Sequence, residues 1–364
     1  MLANALLSLG RNREAAAQFR ALSGMSPQDP KAWYGLGRSY EALARAAFEE
    51  LNKTAQGSAE WLALVAESRM QRRQYRSAFY FYTEALRKRP DFRGLHLALA
   101  DVYRRTEHAD WASIEERKER SMGPPDCTRQ NAACSYAAGR FLESASSPDP
   151  YWRARAYNEL ALRAFEHLGT LPESVELHAL KAEILAGHGD HLEAAAEWRA
   201  VQKLRPKDPV IARQLATAMY LSQDYSPALP MLQELARQEP RSAELRFFVG
   251  DSLLHLENAE RAVPELEAAV RLDPKLLPAH ASLGLAYART GTPAEAIPHL
   301  SAALAVDEDG SLHYQLARAY QQTGQADLAH ATMQKYQDFR RRSDAEAKEL
   351  EQTVKITAPE PPRP

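Results

Sequence analysis

Eleven histidines and two cysteines are the side chains in this sequence best suited to catalysis or metal binding, and their spacing decides between the two and neither. His188 and His191 flank Gly189-Asp190, so with Asp190 they could share a metal ion. A turn that supplies no further ligand reads as plain surface instead. His178, His280 and His313 fall on separate segments rather than converging on one point, and packing accounts for them. Cys127 and Cys134 sit seven positions apart, with no CxxC and no histidine pair at zinc spacing. On one helix that spacing puts the Cα atoms roughly 10 Å apart, out of disulfide reach. A bridge becomes possible if Cys127 lies in the loop before the helix; the preferred reading is two unpaired small apolar residues. No Gly-rich phosphate loop, GxSxG or HExxH occurs. The sequence therefore gives no catalytic residue, no metal site and no cofactor.

The elements that carry these residues are set by a period. Prolines fall at Pro206, Pro240 and Pro274, and Ala194, Ala228, Ala262 and Ala296 recur at the same 34-residue interval. Two helical stretches fit inside each period, the mark of stacked helix-turn-helix units that bury their apolar faces only against neighbours. In the best unit, Leu245, Phe248, Val249 and Leu253 share one helix face, with Gly250 where a bulky residue would block close approach. A polar turn at Glu257-Asn258 follows. Ala262, Leu266, Ala269 and Val270 then form a second apolar face, which Asp273-Pro274 ends. The next unit repeats the scheme with Gly284 and Ala296.

Composition agrees with a helical array and narrows the partners. At 45% hydrophobic the chain can bury a continuous core. A net charge of −2 gives no reason to expect nucleic acid or an anionic membrane. No apolar run approaches the roughly 20 residues that span a bilayer. The first residues lack the basic start and small-residue cleavage site of a signal peptide. The compartment stays open.

The pattern resembles the tetratricopeptide repeat. Trp33, Leu36, Gly37 and Tyr40 match the first half of that family's unit; Gly189, Ala194, Trp198 and Pro206 match its second half, as do Ala78, Tyr82, Ala85 and Pro90. The resemblance covers roughly residues 1 to 343 and implies an all-α fold, a right-handed superhelical solenoid of stacked helix-turn-helix units. His178, His280 and His313 take the bulky place early in a first helix, where the family usually has Trp. Two departures stand out. The turn is missing after Tyr40 and again after Tyr157, so one long helix is predicted from about Ala32 to Asn52 and another through Glu159-Leu160-Ala161. These belong to a larger duplication offset by 116 to 117 residues, as in Arg89-Pro90 and Arg205-Pro206.

The expected organisation is a repeat block at 1–122, an irregular connector with an abbreviated helix pair at 123–150, a second block at 151–343, and a helical cap with a flexible Pro-rich tail at 344–364. The clipped first repeat suggests a piece of a longer protein.

In this family the first helices line a concave groove, and the residue after the small Gly or Ala points inward. That places Arg38, Glu67, Asp101, Glu183, Thr217, Asp251, Leu285 and Arg318 in the groove, with Arg213 one turn before Thr217. Gly37, Ala194, Ala228, Gly250, Ala262, Gly284 and Ala296 are packing positions. Four of the eight inward residues are acidic, and the Asn and Lys clamp of relatives that grip a peptide carboxylate is missing. Arg213 could pair with Glu183 and merely tidy the groove. The resemblance implies a non-enzymatic scaffold that holds a protein or peptide, with basic and apolar segments preferred, or else an accessory domain of a larger enzyme or secretion or assembly factor.

Overall fold

The computed structural model describes residues 2–123, 125–353 and 355–360, and these contain helices and no strand. They form two compact units, 1–180 together with 351–364, and 181–350.

The first unit opens with α1 (Leu2–Ser8) and α2 (Asn12–Met25), then the long α3 (Pro30–Ala55). Asp29 caps α3 by accepting from the Lys31 amide at 3.0 Å, and Pro30 supplies a first-turn residue that needs no donor. Next come α4 (Ala59–Gln71), α5 (Tyr75–Lys88), α6 (Leu95–Arg105), α7 (Ala109–Ser121), the short α8 (Asn131–Ala137) and α9 (Phe141–Ser144), and a second long helix α10 (Pro150–Thr170). Both predicted turnless stretches, Glu41–Ala44 and Glu159–Ala161, are helical throughout. Neither contains Gly or Pro to stop the hydrogen-bond ladder.

The two long helices pack on each other. Trp33 meets His167 at 3.9 Å between ring centres, Tyr40 meets Tyr157 at 6.0 Å, and Glu50 pairs with Arg153. Numbers rise along α3 as they fall along α10, so the pair is antiparallel. The Phe165 ring lies where a side chain on Gly37 would have to go. The apolar core of this unit runs on through Leu62, Phe79, Tyr82, Leu99 and Tyr103 to Tyr151.

The cysteine expectation needs correcting. Cys127 lies in a turn before α8, Cys134 lies within α8, and the two form a disulfide with Cα atoms 5.7 Å apart. The spacing argument held only for two residues on one helix, and the turn shortens the path.

Helix α11 (Val175–His188) carries the chain into the second unit. There follow α12 (His191–Leu204), α13 (Pro209–Leu221), α14 (Tyr225–Gln238), α15 (Ala243–His255), α16 (Ala259–Leu272), α17 (Leu277–Arg289), α18 (Pro293–Ala303), α19 (Ser311–Gln322) and α20 (Ala326–Thr353). First helices begin at Pro209, Ala243, Leu277 and Ser311, second helices at His191, Tyr225, Ala259 and Pro293, each set at 34-residue steps. Ala194, Ala228, Ala262 and Ala296 are all 0% exposed, which is why no larger residue occupies that step. Gly250 meets Leu266 of the following helix so closely that an added Cβ would stand 2.5 Å from its Cγ, and Gly284 repeats this against Leu300 at 2.7 Å.

Turns inside the pairs share a left-handed residue at the same step: Gly189 (φ 85°), Gln223 (φ 62°), Glu257 (φ 59°) and Gly291 (φ 77°). Gln and Glu adopt it because the repeat geometry demands it, at a local cost of about 1–2 kcal/mol. Of the expected flexible stretch Pro359–Pro364, Pro359 and Glu360 are described, and Pro361–Pro364 lie outside the described residues.

Candidate functional site

The predicted groove positions of the second unit recur at one place on three successive first helices: Thr217 on α13, Asp251 on α15 and Leu285 on α17. Thr217 and Leu285 are half-buried, and Leu285 packs against the apolar cluster around Leu300 and Leu316. Asp251 is only 8% exposed. Its carboxylate accepts from the Tyr220 hydroxyl on α13 at 2.8 Å and from the Ser282 hydroxyl on α17 at 2.6 Å. His255, one turn along the same helix, lies 3.5 Å away. One buried charge thus ties three first helices together through two charge-assisted hydrogen bonds. Burial, and then the Asp251 charge, hold the Tyr220 hydroxyl far above the ordinary tyrosine range, so it remains a donor.

Around this carboxylate sits a cluster of aromatic rings on the same helices. Tyr220 packs on Phe248 at 4.5 Å and on Tyr225 at 5.7 Å, and the Tyr225 and His255 rings stack in near-parallel planes at 4.5 Å. Tyr225, Phe247 and Phe248 are half-buried and His255 is exposed, so the cluster presents an edge to solvent.

Other predicted positions are engaged more locally. Arg38 pairs with Glu41 at 2.9 Å, and Asp101 pairs with Arg105 at 3.0 Å. Arg213 pairs with Glu239 where the sequence suggested Glu183. Glu183 is half-buried on α11, and Arg318 is exposed on α19. In the first unit, Glu67 lies 2.8 Å from the Arg155 guanidinium, whose charge also faces the rings of Tyr136 at 4.5 Å and Tyr151 at 5.6 Å. Burial pushes the Glu67 carboxyl up, and the Arg155 charge opposes the shift. Glu67 also borders a cavity of about 470 Å³ with Arg45, Phe48, Leu64 and Arg72. Among the described residues, no three His, Cys, Asp or Glu side chains converge with metal-ligand geometry.

Sequence reasoning missed what the bulky position does. The Trp33 Nε1–H donates to the Pro27 carbonyl at 2.7 Å, and His280 Nε2 does the same to Pro274 at 3.1 Å. His313 reaches Asp307 at 2.5 Å. In each case the partner lies six residues earlier, so a ring N–H ties the helix start to the preceding turn. Histidine replaces Trp there because both offer a ring donor. The Asp251 ladder was also missed, although Tyr220 and Ser282 flank it symmetrically, 31 residues to either side.

A sequence profile of the tetratricopeptide repeat matches residues 1–60 and 214–276. No curated protein matches the chain in sequence. Among solved structures the chain is similar to residues 41 to the end of MamA from Desulfovibrio magneticus RS-1, at 22% identity over 48% of this chain and 98% of that one, with a TM-score of 0.42. TTC0263 of Thermus thermophilus, described as a thermophilic TPR protein, shows 22% identity over 50% and 99%, TM-score 0.37. YrrB, described as a TPR protein with an unusual peptide-binding site, shows 20% over 44% and 84%, TM-score 0.38. The profile match falls on both units, and it agrees with the 34-residue helix-pair period and the fully buried small residues at its fixed steps. The chain is a tetratricopeptide repeat protein.

Proposed function

We propose that the chain is a non-enzymatic scaffold that binds a protein or peptide segment along the inward face of its first helices, with the best-built contact point around Asp251. The observation that supports this reading is a charged carboxylate held at the floor of a half-exposed aromatic cluster, Tyr220, Tyr225, Phe248 and His255. Ring faces beside a fixed negative charge favour a Lys or Arg with apolar neighbours, through cation–π attraction and complementary potential. The wider negative wall expected from Glu67, Asp101, Glu183 and Asp251 is weakened, because Glu67 and Asp101 are paired within the chain.

The test is fluorescence anisotropy with a labelled peptide of alternating Lys and Leu, an acidic Glu/Leu peptide serving as control. Tyr225→Ala combined with His255→Ala removes the stacked pair from the rim and leaves the Asp251 hydrogen bonds intact. The expected result is about tenfold weaker binding of the basic peptide with melting nearly unchanged, since two cation–π contacts at a wet site contribute about 0.5–1 kcal/mol each. Equal affinity for basic and acidic peptides, or no change in the double variant, would refute the assignment.

A further inference from the structure

Residues 355–360, Lys-Ile-Thr-Ala-Pro-Glu, follow the last helix of the second unit yet belong to the first. They are not helical, as Pro359 requires of its neighbour Ala358. The Tyr103 hydroxyl on α6 donates to the Thr357 carbonyl at 2.8 Å, and Ile356 is half-buried against the apolar core around Leu99 and Tyr103. A backbone carbonyl held by a fixed donor beside a seat for one aliphatic side chain is how extended peptides are recognised: main-chain hydrogen bonds supply affinity and alternate side chains supply selectivity.

The seat is organised by its own unit. Tyr103 is 2% exposed, its ring set edge-on to Trp111 at 5.6 Å and tilted on Phe79 at 5.8 Å. Trp111 in turn stacks on His108 at 4.2 Å. These contacts aim the hydroxyl before any ligand arrives. Burial, and then the Glu115 charge, raise the Tyr103 pKa, so the hydroxyl stays a neutral donor. Asp101, the predicted inward residue of α6, lies about 200° around the helix from Tyr103, at 100° per residue. The seat is thus a different face of α6 from the one assigned to the groove.

We propose that α6 and α7 carry a second docking site, for an extended peptide with an aliphatic residue followed by Thr-x-Pro, and that residues 355–360 occupy it in cis. A partner segment of the same pattern gains access only by displacing them. The proposal rests on the peptide-binding reading for its class of ligand, but it uses other residues and a neutral, proline-containing segment instead of a basic one.

The probe is a fluorescein-labelled peptide of residues 355–364, read by anisotropy against the full chain, a chain ending at Thr353, and full-length Ile356→Asp. A tethered segment acts at an effective concentration of about a millimolar, so it weakens a trans ligand with a Kd of about 0.1 mM roughly tenfold. The peptide should bind both opened chains saturably and the intact chain about tenfold more weakly. If the shortened chain fails to fold, Ile356→Asp carries the comparison. Tyr103→Phe in the Ile356→Asp background should weaken binding about fivefold, as expected for one lost hydrogen bond. The Lys/Leu peptide should bind intact and opened chains alike, so failure of one site does not mimic failure of the other. No saturable binding to either opened chain, or equal affinity for opened and intact chains, would overturn the proposal.

Discussion

Gly250 is the position where the repeat geometry can be tested most directly. It lies within α15, and a Cβ added there would stand 2.5 Å from Leu266 Cγ, 2.8 Å from its Cδ2 and 3.2 Å from its backbone nitrogen. Leu266 is 0% exposed, so it has no open space into which to swing. Overpacking of this kind costs about 1–3 kcal/mol, against which alanine returns about 1 kcal/mol of helix propensity. Gly250→Ala should therefore destabilise by about 1 kcal/mol, and Gly250→Leu by about 2 kcal/mol or more. Leu266→Ala alone removes a buried side chain and should cost about 2–5 kcal/mol. It also removes the two atoms nearest the new Cβ, so the double variant Gly250→Ala/Leu266→Ala should be more stable than the sum of the singles, by about 1 kcal/mol. Urea unfolding supplies the energies and amide exchange supplies the location. Faster exchange should centre on α15 to α17 and leave the amides near Trp33 unchanged, because coupling in repeat arrays is nearest-neighbour. Additive energies in the double variant, or equal loss of protection around Trp33 and Gly250, would sink the packing account.

Three further outcomes follow from local geometry. Glu257→Gly should stabilise by about 0.5 kcal/mol, since it relieves an exposed residue held at φ 59° and gives back part of the gain as chain entropy; a lower urea midpoint would count against the strain. Glu67→Gln should destabilise by about 2–3 kcal/mol in urea unfolding, less than a fully buried pair, because Glu67 keeps 23% exposure while Arg155 loses its counter-charge; a change below 0.5 kcal/mol, on the order of an exposed pair, would show that the aromatic rings hold Arg155 without it. Burial, and then His280, hold His299 below the ordinary histidine value of 6.5, so its folded form binds a proton less well than its unfolded form; the stability it contributes above 6.5 is lost as pH falls below it, and His299→Gln should flatten the drop in urea midpoint between pH 7.5 and 5.

Period and pattern made most of the fold legible. Alanines every 34 residues announced the helix pairs because a position with no room for a side chain tolerates little else, and all four are fully buried. The missing turns after Tyr40 and Tyr157 announced the long helices because nothing there breaks the hydrogen-bond ladder. Their antiparallel pairing was not legible. It depends on Phe165 finding the space above Gly37, a contact between residues 128 positions apart. The disulfide was likewise undecidable from spacing, because it turns on whether Cys127 precedes α8 or joins it. The groove positions were named from register alone. Register fixes which way a residue points, but it leaves open whether a partner inside the chain, such as Arg155 for Glu67, already meets its charge.

That distinction bears on how the two units could bind. A carboxylate such as Asp251 cannot be treated as a freely available ligand contact, because two hydroxyls on flanking helices already satisfy it. Replacing it would disturb helix stacking before it disturbed a bound peptide, and a charge-reversal there would be read as lost stability. What Asp251 offers a ligand is its field at the floor of the aromatic cluster, undiminished by hydrogen bonds that leave its net charge in place. The contacts themselves must come from the rings at the rim, Tyr225 and His255, which have solvent-facing edges. The site on α6 works the other way round. There the charge is remote, the donor is neutral, and the segment that covers it shows which main-chain atom the hydroxyl can hold.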